Sequence, residues 1–212
     1  MQKFFITFFI VCSFLVNVST ASQESAVQFI QGFVQKELDI VNDSSTAVES
    51  KPKALSKKAI EHLDLDYITK FVFTTPKYKY KSLSVEDQNI VKEYLTGYLL
   101  ALFASPKKLE AMVGADLKKD EKGNIKEFKV EKKDKYFSIT TRFTRNGKDS
   151  LVIAWITDGE KIIGVEMEGI RQDITVRSEI LADVGDQPLM RYIKEQMAKP
   201  ESTRYGTYNR TK

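Results

Sequence analysis

The chain has very few of the side chains on which most catalytic and metal sites depend. Its 212 residues include one cysteine, Cys12, and one histidine, His62. Cys12 lies in an N-terminal segment that we expect to be removed, so the mature protein would have no disulfide, thiol nucleophile or thiolate metal ligand. His62 stands in a polar helical segment without a nucleophile motif, and we interpret it as a surface histidine. We therefore expect no catalytic residue, no metal and no cofactor.

The sequence also lacks a long run of charge of one sign. Its formal net charge is +4, and its densest charged segment, Lys118–Lys135, alternates lysines with acidic residues. Nucleic-acid binding normally needs a basic stripe, so this composition argues against it. We interpret the segment as the solvated edge of a hairpin, where lysines discourage pairing between sheet edges. Docking of these lysines on anionic lipid headgroups stays open as an alternative.

No apolar run is long enough to span a membrane. The longest, Phe4–Val16, falls short of the ~20 residues that a membrane helix needs. Ser19-Thr20-Ala21 follows it and is typical of a cleavage site. We therefore predict a cleaved signal peptide over Met1–Ala21, with an uncleaved N-terminal anchor as the alternative. Export combined with a cysteine-free mature chain favours a bacterial periplasm.

Two pairs of acidic residues are the remaining candidates for acid–base chemistry. Asp64 and Asp66 stand at a predicted helix start, where capping explains them. Glu166 and Glu168 are expected on one face of a strand, which is more often exposed to solvent. An enzyme would need this second pair to face inward with raised pKa values. Since the chain contains neither a P-loop nor a dinucleotide-binding glycine motif, an enzyme stays only as a third alternative.

Apolar residues recur at spacings of three and four residues in both terminal parts of the chain, as on one face of a helix. Helices are therefore predicted over Ser22–Asn42, over Leu55–Leu63, from Asp64 through Val72, from the N-cap Ser84 to a stop before Pro106, and over Asp173–Val184 and Gln187–Met197. The polar segment that follows, Lys199–Lys212, is predicted to be a disordered tail.

The apolar period changes to the alternation of a half-buried strand at about Ile125. Asn146-Gly147 and Asp158-Gly159 are hairpin signals between alternating stretches. The pattern predicts an antiparallel meander of about four strands, the last over Lys161–Met167. Because helices precede and follow it, we predict one α+β domain over residues 22–198, with helices packed on one face of a curved sheet.

The predicted helix after Ser84 has a broad apolar face that includes Tyr94, Tyr98 and Leu102. With the inward strand positions, this face can form either a filled core or the lining of a cavity, and the sequence does not decide between them. Gly97 in the same helix is either a weak point at which helices could part or a site of close packing.

Three segments carry a family resemblance: Leu63–Tyr80, Ser84–Ala104 and Ile162–Ile193, the last with Glu168-Gly169-Ile170 and Arg177. In this order they resemble the MlaC family. Its members are periplasmic lipid-shuttle components of Gram-negative ABC transport systems, also called toluene-tolerance auxiliary proteins. The chain departs from the family at Arg171, where a serine is usual, and at Val176, where a tyrosine is usual.

The resemblance implies a carrier, not an enzyme, that encloses phospholipid acyl chains in an apolar cavity. It also implies exchange with an outer-membrane MlaA-type lipoprotein complex and an inner-membrane ABC transporter containing MlaD, in support of outer-membrane lipid asymmetry. We expect the carrier to be a monomer. The predicted lipid-binding residues are Phe73, Tyr94, Tyr98, Leu102, Phe137, Ile139, Phe143, Ile153, Trp155, Val165, Met167 and Ile174.

Two further alternatives stay open. Arg177 either orients the strand–helix junction near the cavity or contacts a lipid phosphate, or else it forms a structural salt bridge with Glu166, Glu168 or Asp173. The protein as a whole could instead be a non-catalytic periplasmic interaction module, with a filled core and a basic face that docks on a membrane protein.

Overall fold

The computed structural model of the protein describes residues 22–47, 50–104, 123–145 and 148–205. The predicted signal peptide over Met1–Ala21, the predicted turn at Asn146-Gly147, the start of the lysine-rich segment and residues 206–212 of the tail lie outside these ranges. None of the helices within them combines the length and the apolar character that a membrane crossing needs.

Three helices form the N-terminal part, and polar residues mark two of their starts. Helix α1 (Gln23–Asn42) begins after Ser22, whose side chain accepts a hydrogen bond from the Ser25 backbone N–H. Helix α2 spans Lys51–His62, and α3 spans Leu65–Phe73. Asp64 caps α3 by accepting from the Tyr67 N–H at 2.8 Å, so this acid serves the helix end.

The longest of the remaining helices, α4 (Val85–Phe103), begins after the predicted N-cap. The Ser84 hydroxyl accepts a hydrogen bond from the Asp87 N–H at 3.1 Å. After the sheet, α5 (Gln172–Val184) ends at Gly185, whose φ of 56° is a conformation that glycine adopts without steric cost. Helix α6 (Leu189–Met197) follows.

The described residues 123–145 and 148–171, between α4 and α5, form one antiparallel sheet. Its strands are β1 (Gly123–Lys133), β2 (Tyr136–Arg145), β3 (Lys148–Thr157), β4 (Ile162–Met167) and β5 (Ile170–Arg171), and they lie side by side in chain order. The predicted α+β fold with an antiparallel meander is confirmed. The short strand β5 was not predicted. It forms because the turn residues Glu168 and Gly169 adopt positive φ and fold the chain back on β4.

The helices pack on the sheet and enclose the core. Helix α1 packs on β1 and β2, whereas α3 and α5 pack on β4. Register shifts occur in three strand pairs, including one between Phe143 and Thr144. Irregularities of this kind bend strands and increase their twist, so the helices lie against a curved sheet.

The segment predicted to be a disordered tail contains ordered structure in its first part. A short helix, α7, spans Glu201–Arg204. The ring of Tyr205 then lies 5.8 Å from the ring of Tyr94 and 6.3 Å from that of Tyr98, measured between centroids. Composition predicted disorder because the segment is polar, yet one aromatic side chain is enough to attach it to α4.

Candidate binding cavity

An apolar cavity lies between α1, α2, the end of α4 and the sheet. It holds about 790 Å³ of atom-free space when its open mouth and the adjoining solvent are included. All its lining side chains are apolar or aromatic except those of Glu37 and Ser56. The lining consists of Phe33, Glu37, Leu38, Val41, Leu55, Ser56, Ala59, Leu63, Phe103, Phe143, Leu151, Ile153, Trp155, Ile162, Val165 and Met167.

Strand register brings the sheet side of the lining together. Ile153 pairs with Met167 and Trp155 pairs with Val165 across β3 and β4. Because side chains alternate between the two faces of a strand, residues two apart on each strand point into the same space. Glu166, between two lining residues of β4, is therefore directed to the opposite face.

Trp155 has the largest side chain in the cavity lining. Its Nε1 donates a hydrogen bond to the Thr141 hydroxyl at 2.9 Å, so its polar atom is satisfied inside the sheet. Its ring meets Phe33 of α1 edge to face, with centroids 5.1 Å apart. This contact joins α1 to β3 beside the cavity.

The helical side of the lining comes mainly from α1 and α2. On α1, Phe33, Glu37 and Val41 recur every fourth residue and face the cavity together. On α2, the Ser56 hydroxyl donates to the Lys53 carbonyl at 3.0 Å, which satisfies it within its own helix. None of these residues was among the predicted lipid-binding residues. Their apolar period was visible in the sequence, but it indicates only a buried face.

Glu37 is the one ionisable group in the described lining. No hydrogen bond or ion pair joins it to another described residue. Burial among apolar side chains disfavours the charged form and raises the pKa of this carboxyl to about 8. Near neutral pH, the carboxyl is therefore mostly protonated and can donate a hydrogen bond.

A second, smaller cavity adjoins the first and holds about 380 Å³, including its opening. Leu63, Phe103 and Val165 line both spaces and separate them. Leu102 and Val176 lie on the far side of this partition.

The structure divides the predicted lipid-binding residues into three groups. Phe143, Ile153, Trp155, Val165 and Met167 line the larger cavity, and Leu102 lines the smaller one. Phe73, Tyr94, Tyr98, Phe137 and Ile139 are buried without lining either space. Ile174 is 49% exposed on α5.

The tyrosine face of α4 packs against other elements. The Tyr98 hydroxyl donates to a Glu179 carboxylate oxygen at 2.9 Å. The hydroxyls of Tyr94 and Tyr192 lie 3.4 Å apart, and burial raises the pKa of Tyr94. A Cβ atom built on Gly97 would overlap the Tyr205 hydroxyl. The face predicted to hold lipid thus holds α5, α6 and the C-terminal segment, and Gly97 is a site of close packing.

Arg177 contacts Thr74 and Phe71 rather than the acidic residues of the predicted salt bridge. Its Nη2 donates to the Thr74 carbonyl at 3.0 Å, and its guanidinium lies 5.1 Å from the centroid of the Phe71 ring. The predicted partner Asp173 pairs with Arg171 instead, at 2.6 Å. Arg177 therefore joins α5 to the end of α3.

The acidic pair considered for catalysis does not converge on the cavity. Glu168 is exposed in the turn after β4, where its carboxylate accepts from the Val152 backbone N–H at 3.1 Å. Neither Glu166 nor Glu168 is among the lining residues. Within the described ranges, no cluster of three or more His, Cys, Asp or Glu residues is placed to hold a metal ion.

Comparison with known proteins identifies a similar fold. No protein-family model matches the sequence, and no curated protein matches it. The chain is similar to a solved structure, a phospholipid-binding protein from Ralstonia solanacearum in complex with a phospholipid. The two share 14% sequence identity at a TM-score of 0.55, over 87% of this chain and 99% of the other. At this identity, the likeness establishes a shared fold alone.

Proposed function

We propose that this protein is a periplasmic carrier that binds phospholipid acyl chains in the cavity between α1, α2 and the sheet. As in the MlaC family, which its sequence resembles, it would carry lipid between an MlaA-type outer-membrane lipoprotein complex and an inner-membrane ABC transporter containing MlaD. A signal peptide over Met1–Ala21 would deliver the mature chain to that compartment. The role requires no catalytic step.

The apolar cavity is the observation that carries this proposal. Its walls are hydrocarbon and aromatic surface, and moving a CH₂ group from water into such surroundings contributes about 0.8 kcal/mol. An acyl chain would therefore gain affinity with each carbon that enters. The fold shared with a phospholipid-bound protein supports the same conclusion. A filled-core interaction module would leave no continuous apolar space, so the cavity disfavours that alternative.

Native mass spectrometry of the protein, expressed with its signal peptide and purified from the periplasm, tests the proposal. We expect a bound mass of phospholipid size, which is lost on delipidation and regained on mixing with phospholipid vesicles. A protein that is free of lipid as isolated, and stays so after mixing, would favour the interaction module.

A pair of matched variants connects lipid binding with the cavity. Ala59→Trp puts an indole into the space, because Ala59 lines it. Ala182→Trp adds the same ring on the exposed surface of α5. We expect the first variant to fold and lose most of its lipid, and the second to keep it. Equal lipid loads in two folded variants would place the lipid elsewhere.

A further inference from the structure

The described cavity lining contains three polar side-chain groups, and two of them are satisfied by the protein. The Trp155 N–H donates to Thr141, and the Ser56 hydroxyl donates to the Lys53 carbonyl. The third group, the Glu37 carboxyl, has no hydrogen-bond or ion-pair partner among the described residues. Among the described residues, no side-chain oxygen or nitrogen is both fully buried and unpartnered. The Glu37 carboxyl therefore reaches accessible space in the cavity, where a group from outside the chain could hydrogen-bond with it.

Helix geometry directs Glu37 into the cavity. It stands one helical turn after Phe33 and one before Val41, and all three line the same space. Its neighbours Lys36 and Asp39 are exposed on the other side of α1. The carboxyl is therefore held on the apolar face of the helix, surrounded by protein but in contact with the cavity space.

An acid in this position destabilises the unliganded protein. Apolar surroundings remove much of the water that would solvate the carboxyl, which is unfavourable for its neutral form and more unfavourable for its charged form. Burial therefore keeps Glu37 mostly protonated near neutral pH, since its pKa is raised to about 8. A protonated carboxyl has an O–H donor, and a ligand oxygen would remove the cost of leaving this donor unsatisfied.

We propose that Glu37 recognises the polar end of a bound acyl chain by donating a hydrogen bond to the ester carbonyl oxygen of a glycerolipid. The inference rests on the proposed lipid-binding function and adds a residue that determines which lipids bind best. Glu37 would then distinguish ester-linked lipids from lipids of the same length whose chains are joined by ethers.

The chemistry of the surroundings favours an uncharged ligand oxygen as the partner. A cationic headgroup amine would require ionised Glu37, which the apolar lining disfavours. An ester carbonyl is an uncharged acceptor located where the apolar chain ends, so it can remain within an apolar space at low cost. A hydrogen bond from Glu37 to the lipid phosphate would contribute equally to the binding of ester-linked and ether-linked lipids. Comparing the affinities of these two lipids therefore distinguishes contact with the ester carbonyl from contact with the phosphate.

The test compares two soluble lipids and three forms of the full protein after delipidation. The lipids are short-chain diester phosphatidylcholine and its diether analogue, which lacks both carbonyls. The proteins are the wild type, Glu37→Leu, which removes the polar group at similar size, and Asp39→Leu, which makes the same apolar change on the exposed side of α1. Dissociation constants are measured by calorimetry, and thermal unfolding confirms that each variant is folded.

We expect wild type and Asp39→Leu to bind the diester about threefold to tenfold more tightly than the diether, the effect of one neutral hydrogen bond. Glu37→Leu should bind both lipids equally. Phosphatidylglycerol in place of phosphatidylcholine should give the same ester preference, because the contact lies at the ester rather than the headgroup.

Three results would overturn the inference. A wild type without ester preference, or a preference that survives in Glu37→Leu, shows that Glu37 does not contact the ester, while lipid binding itself stands. A preference that depends on the choline headgroup assigns the carboxyl to an ion pair instead. If neither lipid binds any form of the protein, the proposed function fails together with the inference.

Discussion

At the scale of single residues, Trp155 serves both the fold and the cavity. Its N–H is satisfied by Thr141 within the sheet, and its ring separates α1 from β3 through contact with Phe33. The sequence placed Trp155 at an inward strand position, and the resemblance to the MlaC family implied that it lines a cavity. It did not predict Phe33 opposite, because the partner of a strand residue is set by packing between distant segments.

Trp155 is also the only tryptophan of the chain, so its fluorescence reports on the cavity alone. We expect a phospholipid with brominated acyl chains to quench this fluorescence on binding, since heavy atoms quench an indole at short range. An unbrominated lipid of the same length should bind without quenching. Lipid that is detected by mass but leaves the fluorescence unchanged would argue for a site away from Trp155.

A second prediction at this scale concerns Glu37 and the pH dependence of the stability of the unliganded protein. The pKa of Glu37 is raised from the ordinary value of 4.5 to about 8 by burial. Between these two pH values the unfolded chain has released the proton and the folded protein retains it, so stability falls as pH rises. The loss stops above the folded pKa and amounts to at most about 1.4 kcal/mol per pH unit.

The measurement is urea unfolding of wild type and Glu37→Gln in steps from pH 5 to pH 9. We expect the free energy of unfolding of wild type to decline over this range and that of the variant to vary much less. Asp43, whose pKa is lowered to about 2 by hydrogen bonds from Ser45 and Thr46, acts only at lower pH. Parallel pH profiles for the two proteins would show that Glu37 is not buried in its protonated form.

At the scale of elements, the broad apolar face of α4 divides between core and cavity. Its breadth is visible in the sequence, which left both roles open. In the structure, Tyr94 and Tyr98 of that face contact α5, α6 and Tyr205, whereas Leu102 lines the smaller cavity. A broad apolar face indicates several neighbours, and only the tertiary arrangement shows whether they are helices or lipid.

The contact between α4 and the C-terminal segment can be tested at Gly97. Gly97→Ala adds a Cβ atom that overlaps the Tyr205 hydroxyl. Because this hydroxyl is the far end of a flexible side chain, Tyr205 must move away from α4, and we expect a loss of about 0.5–1.5 kcal/mol from its weakened aromatic contacts. In a chain that ends after Arg204, the same change should instead stabilise α4, by up to about 1 kcal/mol, since alanine is the better helix former.

Chemical denaturation of the four proteins in this double-mutant cycle gives the coupling between the two positions. The full-length and truncated chains act as each other's controls. An identical effect of Gly97→Ala in both would mean that Tyr205 does not lie on α4 in solution.

At the scale of the whole molecule, the cavity exists because the helical layer and the sheet do not pack closely over their whole area of contact. Helices α1 and α2 cover the sheet near β3 and β4 without filling the space between them. Protein interiors are normally close-packed, so a space of this kind reduces the stability of the unliganded fold. A ligand that fills it should bind the folded state only.

Lipid should therefore stabilise the molecule by mass action. At a free lipid concentration one hundred times the dissociation constant, the expected gain is about 2.7 kcal/mol, seen as a higher unfolding temperature by calorimetry. Ala59→Trp, with its cavity occupied, should show a much smaller shift. An unfolding temperature that does not respond to lipid in the wild type would contradict specific binding to the native state.

The sequence by itself determined the local features of this protein and its class of fold. Caps such as Ser84 and Asp64, apolar periods and hairpin signals depend on neighbours within a few residues, so they can be read along the chain. The order of helices and strands then predicted the α+β arrangement. The scarcity of reactive side chains limits the available chemistry however the chain folds, because residue types that are absent cannot be brought together.

Only the tertiary structure decided where apolar surface becomes core and where it becomes cavity. The same residue types fill both, because burial of a hydrocarbon side chain contributes similarly against protein and against lipid. Distant segments placed Glu37 and Ala59 beside Trp155, and they placed Tyr94 and Tyr98 against helices. These contacts join positions far apart in the chain, and a local pattern contains no information about which segments will meet.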